Sequence, residues 1–402
     1  SDIGLPCSPL FRCLTLFCLF MLSFILFILL LLFFCFILLI NIVVLAEEPK
    51  VNAISAVVVD GDTGRILWGK NENEPMAMAS TTKIMTALVA LENSDITKET
   101  TVSKNATFAS PVKMHLSVGE KMTIEQLLYA MMLQSYNDSA VAVAEAVGGS
   151  VEKFCAMMNE KAKEIGCNDT VFETPNGLDK GNHHSTAEDM SKIGVYALKN
   201  QKLMEIMNTR NYTFKSSKTT YSFVNKDRLL SEYEGAIGMK TGFTGKAGHC
   251  FVGAANRGNI TLVSVVLASG WGTAGKSRKW IDTKALLNYG FNNYKKYSII
   301  DDSEKMNIPI DKAEKEIAEL KYEDSVELLL SENEKANLKI ENELPQNVTA
   351  PINYGDSVGV GKIYTGNTLL KTVKIISAEN IEKIGVEYNI KKLINQWLKL
   401  VG

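Results

Sequence analysis

Hydrophobic positions divide this chain into three kinds of segment. From Cys13 to Ala46 nearly every residue is Leu, Phe, Ile or Val, broken only by Thr15, Ser23 and Asn41. That run exceeds the roughly 20 residues that cross a bilayer and the roughly 7–15 of an ordinary signal-peptide core. Val44-Leu45-Ala46 before Glu47-Glu48-Pro49 offers small residues where a signal peptidase cuts, which favours a cleaved leader over a retained anchor for residues 1–46. Either outcome puts the remainder outside the cytoplasm.

Beyond the leader the pattern becomes that of a globular body. Ala53 to Val59 is a β-branched run, Asp60-Gly61-Asp62-Thr63-Gly64 a turn cluster, and Arg65 to Trp68 a return strand, together a hairpin. Helical spacing follows from near Ser80 through Leu91 and again from Thr123 to Leu133, while Ser139 to Ala146 is Ala/Val-rich and reads as buried. Ser150 reads as the N-cap of a helix reaching Ile165. Strand character returns at Lys240–Ala255 and Ile260–Ala268 around an Asn256–Asn259 turn, and Trp280–Tyr289 is helical. Strands first, helices next and strands last predict an α+β domain in which the first hairpin joins the last strands in one antiparallel sheet with a helical cluster, over 47–297.

The composition changes past Ser298. Residues 301–350 are rich in Glu, Lys and Asn with short apolar groups, and turn signals at Asn353-Tyr354-Gly355-Asp356 and Thr365-Gly366-Asn367-Thr368 separate short strands, so 298–377 reads as a small β-domain. In the last segment, 378–402, Ile390, Leu393, Ile394, Trp397, Leu398 and Val401 share a helical face beside Lys391, Lys392 and Lys399. Of the 402 residues, 46% are hydrophobic and 22% charged, and the formal net charge is -2, which gives no footing to nucleic-acid binding. Only Cys155, Cys167 and Cys250 follow the leader, too few for a disulfide scaffold and without zinc-site spacing, so buried free thiols are expected. No metal cluster or phosphate loop is visible, and no cofactor is expected.

Ser80-Thr81-Thr82-Lys83 carries the first chemical signal. A spacing of three on a helix lets Lys83 reach the Ser80 hydroxyl, which is a poor nucleophile until a base accepts its proton. A lysine serves as that base only when burial or nearby positive charge lowers its pKa. The same S-x-x-K spacing at Ser110–Lys113 and Ser150–Lys153 does not precede a buried apolar helix and reads as surface or capping. Ser135-Tyr136-Asn137 follows the apolar stretch Leu127–Leu133, and Lys240-Thr241-Gly242 lies on a late strand, where Lys240 and Gly242 share a face and the glycine lets substrate approach the backbone. Singly these are weak: a polar turn and a solvated edge lysine account for the second and third.

In this order the three elements resemble the penicillin-recognising serine hydrolases. The surrounding residues, among them Ala79–Ala87, Asn137-Asp138-Ser139-Ala140, Thr174-Pro175-Asn176-Gly177-Leu178, His184–Met190 and Ala247-Gly248-His249-Cys250, resemble the D-alanyl-D-alanine carboxypeptidases of the low-molecular-mass penicillin-binding proteins. The resemblance covers roughly 52–291 well and implies a β-lactamase/transpeptidase-like domain. It implies that Ser80 attacks the carbonyl between two D-alanines of a peptidoglycan stem peptide, that Lys83 takes its proton, and that Ser135 relays a proton to the leaving amine. Asn137 would hold the substrate amide and Lys83, Lys240 the electrostatics, and Thr241 the substrate carboxylate. The N–H groups of Ser80 and Phe243 would form the oxyanion hole. Phe243 stands where some members have histidine, and Tyr136, where glycine is frequent, is expected to narrow the cleft. Arg278 and Lys279 lie where a carboxylate-binding cation is often found, against the reading of ordinary exposed charges. The four histidines are assigned no catalytic role. β-Lactams are the expected inhibitors, and the final helix is expected to tether the enzyme to the outer face of the membrane.

Two rivals are weaker. A serine β-lactamase shares the three elements, but Glu173 and Asn176 fall one residue short of the usual E-x-x-x-N spacing and Tyr136 replaces the aspartate of S-D-N. A non-catalytic wall-binding protein would be expected to lose Ser80, Lys83 or Lys240, and none is lost.

Overall fold

The computed structural model describes residues 20–31 and 47–401. Most of the proposed leader lies outside them, with its cleavage site. The segment 20–31 is helical and belongs to a unit separate from the body. Among the described residues, no helix is long and apolar enough to cross a membrane.

The body opens on the expected hairpin, β1 (Ser55–Asp60) and β2 (Ile66–Lys70). Next come α1 (Lys83–Asn93), α2 (Ile124–Gln134), α3 (Asn137–Gly148), α4 (Val151–Ile165), α5 (Ala187–Leu198) and α6 (Gln201–Asn208). A two-stranded hairpin, β3 (Asn211–Lys215) and β4 (Thr220–Val224), then leads to β5 (Ala236–Thr244), β6 (Gly248–Arg257), β7 (Ile260–Leu267) and helix α7 (Gly272–Asn293). The sheet order is β2-β1-β7-β6-β5, all antiparallel, so the first hairpin joins the last strands with Val57 opposite Val265.

Three sequence expectations need correction. The strand expected over 240–255 is two strands, because Gly245-Lys246-Ala247 turns the chain and Gly248 takes φ +66. The helix expected over Trp280–Tyr289 starts at Gly272, its first turns concealed by Gly272 and Gly275, which are poor helix formers. The terminal helix starts at Val386, not 378, because Ile381 still exchanges backbone hydrogen bonds with Ile352 (3.0 and 2.8 Å).

Alternation along β1 explains the layering. Val57 and Val59 face the helical cluster with Leu88, Leu127 and Leu128, while Ala56 and Val58 face α7 through Trp280, Leu286 and Leu287. A strand covered on both faces reads as an unbroken apolar run, which is the Ala56–Val59 sequence. The three cysteines of the body are buried free thiols.

Helix α7 runs directly into strand Tyr294–Ile300, which pairs with Val326–Ser331; a six-stranded sheet with its own apolar core follows. Arg65, in the first hairpin, ties the two parts. Its guanidinium donates to Glu334 Oε1 at 2.6 Å and to the Leu329 carbonyl, and lies 5.7 Å from the Tyr294 ring centroid. The Tyr294 hydroxyl in turn donates to the Leu67 carbonyl at 2.9 Å.

Candidate active site

Ser80 lies on a 3-10 turn, Ala79–Thr82, that leads into α1 rather than in the α-helix itself. Ala79 has φ +49, a left-handed conformation that a non-glycine residue adopts only at a cost of order 1–3 kcal/mol. Two glycines let the surroundings close on this turn. A Cβ on Gly177 would lie 1.9 Å from the Ala79 carbonyl oxygen; one on Gly242 would lie 3.0 Å from the Met78 carbonyl oxygen and 3.1 Å from Ser80 N. The Lys240-Thr241-Gly242 strand therefore runs against the Ser80 backbone from one side, and the 174–178 loop from another.

The Lys83 side chain is fully buried and makes three contacts. Nζ lies 2.8 Å from Ser80 Oγ, 2.8 Å from Asn137 Oδ1 and 2.6 Å from the Asn176 carbonyl oxygen. Burial foremost, then the Lys240 charge, lowers its pKa well below the ordinary lysine value, with Asp138 acting the other way. A neutral amine has two N–H groups and one lone pair. In that form the Asn137 and Asn176 oxygens would accept the two N–H groups and the lone pair would face the Ser80 hydroxyl.

Each acceptor is fixed from behind. Asn137 donates both Nδ2 protons to the carbonyls of Ser110 and Pro111, each at 3.0 Å, so the carbonyl end of its amide is committed to Lys83. The amide expected to hold substrate is thus engaged by the 110–111 backbone. Asp138, fully buried, accepts from Met114 N at 2.9 Å and Leu116 N at 3.2 Å and pins the following stretch of that loop. The 174–178 loop is held by Thr86 Oγ1 donating to the Pro175 carbonyl at 2.6 Å and by Gly177 N donating to Thr174 Oγ1 at 3.1 Å.

Ser135 ends α2 in the left-handed region, at φ +66, and so turns the chain into α3 two residues before Asn137. Among the described residues, no hydrogen bond joins its hydroxyl to Lys83. Tyr136 is half-buried with its ring packed edge-on against Phe223, centroids 5.5 Å apart, and Lys226 Nζ 6.0 Å from it. The side chain expected to narrow the cleft is thus braced by the β3–β4 hairpin, an element absent from the sequence expectations.

Behind the β5 strand lies a cationic group. Lys240 is buried, donates to the Thr241 carbonyl at 3.1 Å, and is held down to about 7 by burial first and then by the charges of Lys226 and Lys279. Buried Asp227 opposes them; burial pushes its own carboxyl up to about 6, even though Leu229 N and Met239 N donate to it. Arg278 is exposed, whereas Lys279 is buried and held down to about 8, so only Arg278 fits the reading of an ordinary surface charge.

The other sequence candidates have structural places. Ser150 Oγ accepts from Lys153 N at 3.2 Å, an N-cap, and Ser110 is exposed. Glu173 accepts from Asn182 N at 2.9 Å and braces its own loop. His183 accepts from Glu173 N at Nδ1 (3.1 Å), so its single proton is on Nε2, which donates to Thr82 Oγ1 at 3.0 Å. His184 Nδ1 meets the Asn182 carbonyl at 2.6 Å. No metal-binding group of three His, Cys, Asp or Glu occurs among the described residues. The contributions missed from sequence were the Asn176 carbonyl, Asp138, Asp227 and Lys226. Asn176 and Asp138 sit inside segments that carried the resemblance, but a backbone acceptor and a loop pin leave no residue-type signature.

The profile of the D-alanyl-D-alanine carboxypeptidase family matches residues 42–270, and that of the penicillin-binding protein 5 C-terminal domain matches 294–383. The chain belongs to the D-alanyl-D-alanine carboxypeptidase family. It is 31% identical over 363 residues to the D-alanyl-D-alanine carboxypeptidase DacF of Bacillus subtilis, covering 88% of this chain and 91% of that protein. It is 35% identical to a D-alanyl-D-alanine carboxypeptidase of a Streptomyces strain, over 61% of this chain and 89% of the relative. Penicillin-binding protein 5 from Haemophilus influenzae superposes with a TM-score of 0.72 at 26% identity, covering 84% of this chain and 99% of that one. The chain is accordingly a serine-type D-Ala-D-Ala carboxypeptidase acting in cell-wall maturation, with the β-lactamase/transpeptidase-like fold and a following β-rich domain.

In this carboxypeptidase the N-terminal end of α1 depends on a neutral histidine. Burial holds the His183 pKa down to about 4, against the usual 6.5. The unfolded chain therefore binds the proton first as pH falls, so this part of the stability is present above about 6.5 and is lost toward 4. Between pH 7 and pH 5 the loss is about 2 kcal/mol. His183→Gln is expected to be less stable at pH 7 and to show a flatter fall in melting temperature over that interval; an unchanged slope would contradict the assignment.

Proposed function

We propose that Ser80 is the nucleophile and Lys83 its general base, and that the acyl-enzyme of D-Ala-D-Ala hydrolysis forms on Ser80. The observation that carries this reading is the Lys83 arrangement: a buried amine of lowered pKa, two fixed acceptors, and Ser80 Oγ at 2.8 Å. Lys83 takes the Ser80 proton as Oγ attacks the carbonyl between the two D-alanines. The negative oxygen is met by the N–H groups of Ser80 and Phe243. Ser135 passes the proton from Lys83 to the leaving amine, and free D-alanine departs. Water, deprotonated by Lys83, then hydrolyses the ester.

Thr241 binds the terminal carboxylate beside Lys240, with buried Lys279 adding positive charge, and Gly242 keeps the strand close to the nucleophile. β5 is the outermost strand of its sheet, so its free edge offers backbone groups to an extended peptide. Asn137 holds Lys83; holding the substrate amide as well requires the 110–111 carbonyls to release its Nδ2. A β-lactam acylates the same serine. Released D-alanine from diacetyl-lysyl-D-Ala-D-Ala, and labelling by a fluorescent penicillin, should both vanish in Ser80→Ala. Lys83→Ala should slow acylation about 10²–10⁴-fold. The wild-type rate should fall on the acid side as Lys83 becomes protonated. Labelling of a folded Ser80→Ala protein would contradict the assignment.

We also propose that the enzyme works at the outer face of the membrane, held by Val386–Val401 lying in the interface. Ile390, Leu393, Ile394, Trp397 and Leu398 are exposed and share one side of the helix, with Lys391 and Lys399 beside it. Protein lacking residues 1–46 should co-sediment with anionic vesicles, and Leu393→Glu/Trp397→Glu should weaken that at least about tenfold. Equal sedimentation of both proteins would refute the interfacial role.

A further inference from the structure

Two large aromatic side chains that the reaction as described does not use lie at the β5–β6 turn: Phe243 near the end of β5, and Trp271 from the loop between β7 and α7. Phe243 is 50% exposed, its ring centroid 4.4 Å from that of His249. Trp271 is 47% exposed and is held in a frame of glycines. Its Nε1–H donates to the Gly245 carbonyl at 2.9 Å, and its ring lies on the bare backbone of Gly248, where a Cβ would be 3.0 Å from Cε2 and 3.2 Å from Cζ2. Gly270 (φ +127) and Gly272 (φ +58) shape the chain on either side of it, and His249 N donates to the Gly270 carbonyl at 2.9 Å. The indole is therefore fixed by backbone contacts while nearly half of it stays open to solvent. A ring already held in place loses little freedom when a ligand settles on it, and tryptophan is over-represented among residues that dominate binding energy.

The direction of the bound peptide links this surface to the site. This step rests on the roles proposed above: the terminal carboxylate at Thr241, and the scissile carbonyl at the N–H of Phe243. A peptide lying along the free edge of β5 with that polarity continues past Phe243 toward Thr244 and Gly245. At about 3.3 Å per residue, the two steps from Gly242 to Thr244 cover roughly 7 Å. The residue just before D-Ala-D-Ala then comes opposite Thr244–Gly245, where Trp271 is hydrogen-bonded.

We infer that Phe243 and Trp271 form an aromatic ledge that binds the side chain of the residue preceding D-Ala-D-Ala and selects a long aliphatic chain there. Methylene groups laid across the indole lose contact with water, whereas a single methyl in the same place covers little of the ring. The ledge thus discriminates between stem peptides without touching the reacting atoms, and its effect belongs in KM.

The test is a selectivity ratio. kcat/KM is measured for diacetyl-lysyl-D-Ala-D-Ala and for acetyl-alanyl-D-Ala-D-Ala in the wild type, Trp271→Ala and Trp271→Phe. The ratio of the first to the second is expected to fall about 5–20-fold in Trp271→Ala, through KM, and to be largely retained in Trp271→Phe. A ratio that stays constant, or a loss shared equally by both peptides, overturns the ledge while leaving the Ser80 reading intact. Hydrolysis of neither peptide by folded wild-type protein overturns the site reading, and the ledge with it.

Discussion

The candidate active site depends on a lysine taken out of water without a carboxylate to neutralise it in its direct hydrogen bonds. Removing an ammonium from solvent is so costly that the group sheds its proton unless compensated. Lys83 meets an amide oxygen, a peptide oxygen and a hydroxyl, and the nearby Lys240 charge drives it further toward the neutral amine. Burial thereby favours the uncharged form of the commonest surface cation, and two fixed oxygens hold the amine within hydrogen-bond reach of Ser80. On the proposed reading, Ser80 needs no imidazole in such a site. His183, the most deeply buried of the four histidines, is found bracing Thr82 instead.

That requirement reaches outward through the fold. The acceptors come from different elements: Asn137 from the first turn of α3, Asn176 from a loop locked onto α1 by Thr86. Positive φ values recur where these pieces meet, at Ala79 and Ser135, and such conformations persist only where the surroundings over-determine them. Gly177 and Gly242 permit the close approach. A side chain at Gly177 would meet the Ala79 carbonyl at 1.9 Å, so this loop and the Ser80 turn cannot be varied independently. The sheet contributes its outermost strand, which approaches Ser80 at Gly242 and keeps one edge unpaired within the sheet.

The reach of the sequence differs by kind of feature. The Ala56–Val59 run and the Ile260–Ala268 stretch read correctly as strands of one antiparallel sheet, because a doubly covered strand has a one-dimensional signature. Ser80, Lys83 and Asn137 could be picked out as a constellation, and the structure brings those three together by hydrogen bonds. What stayed hidden was contributed by backbone or by distant neighbours. The Asn176 carbonyl looks like any other peptide, and the pressure of Lys226 and Lys279 on Lys240 arises from residues 14 positions before it and 39 after it in the chain. The β3–β4 hairpin did alternate apolar and polar residues, Tyr212 and Phe214 against Tyr221 and Phe223, but its shortness and the polar Lys215–Thr220 stretch around its turn obscured it. The break at Gly245–Ala247 was concealed differently: both flanking strands are rich in residues that read as continuous.

The state of the Lys83 amine is the central claim, and it can be observed directly. Lysine ε-carbon and ζ-nitrogen resonances of isotopically labelled protein, with the Lys83 signal assigned by its loss in Lys83→Met, report protonation as pH is varied. Lys83 should titrate well below the exposed lysines and be neutral where the enzyme is active. A Lys83 signal that remains an ammonium up to the titration range of the surface lysines would contradict the account, because no lone pair would then be available to Ser80.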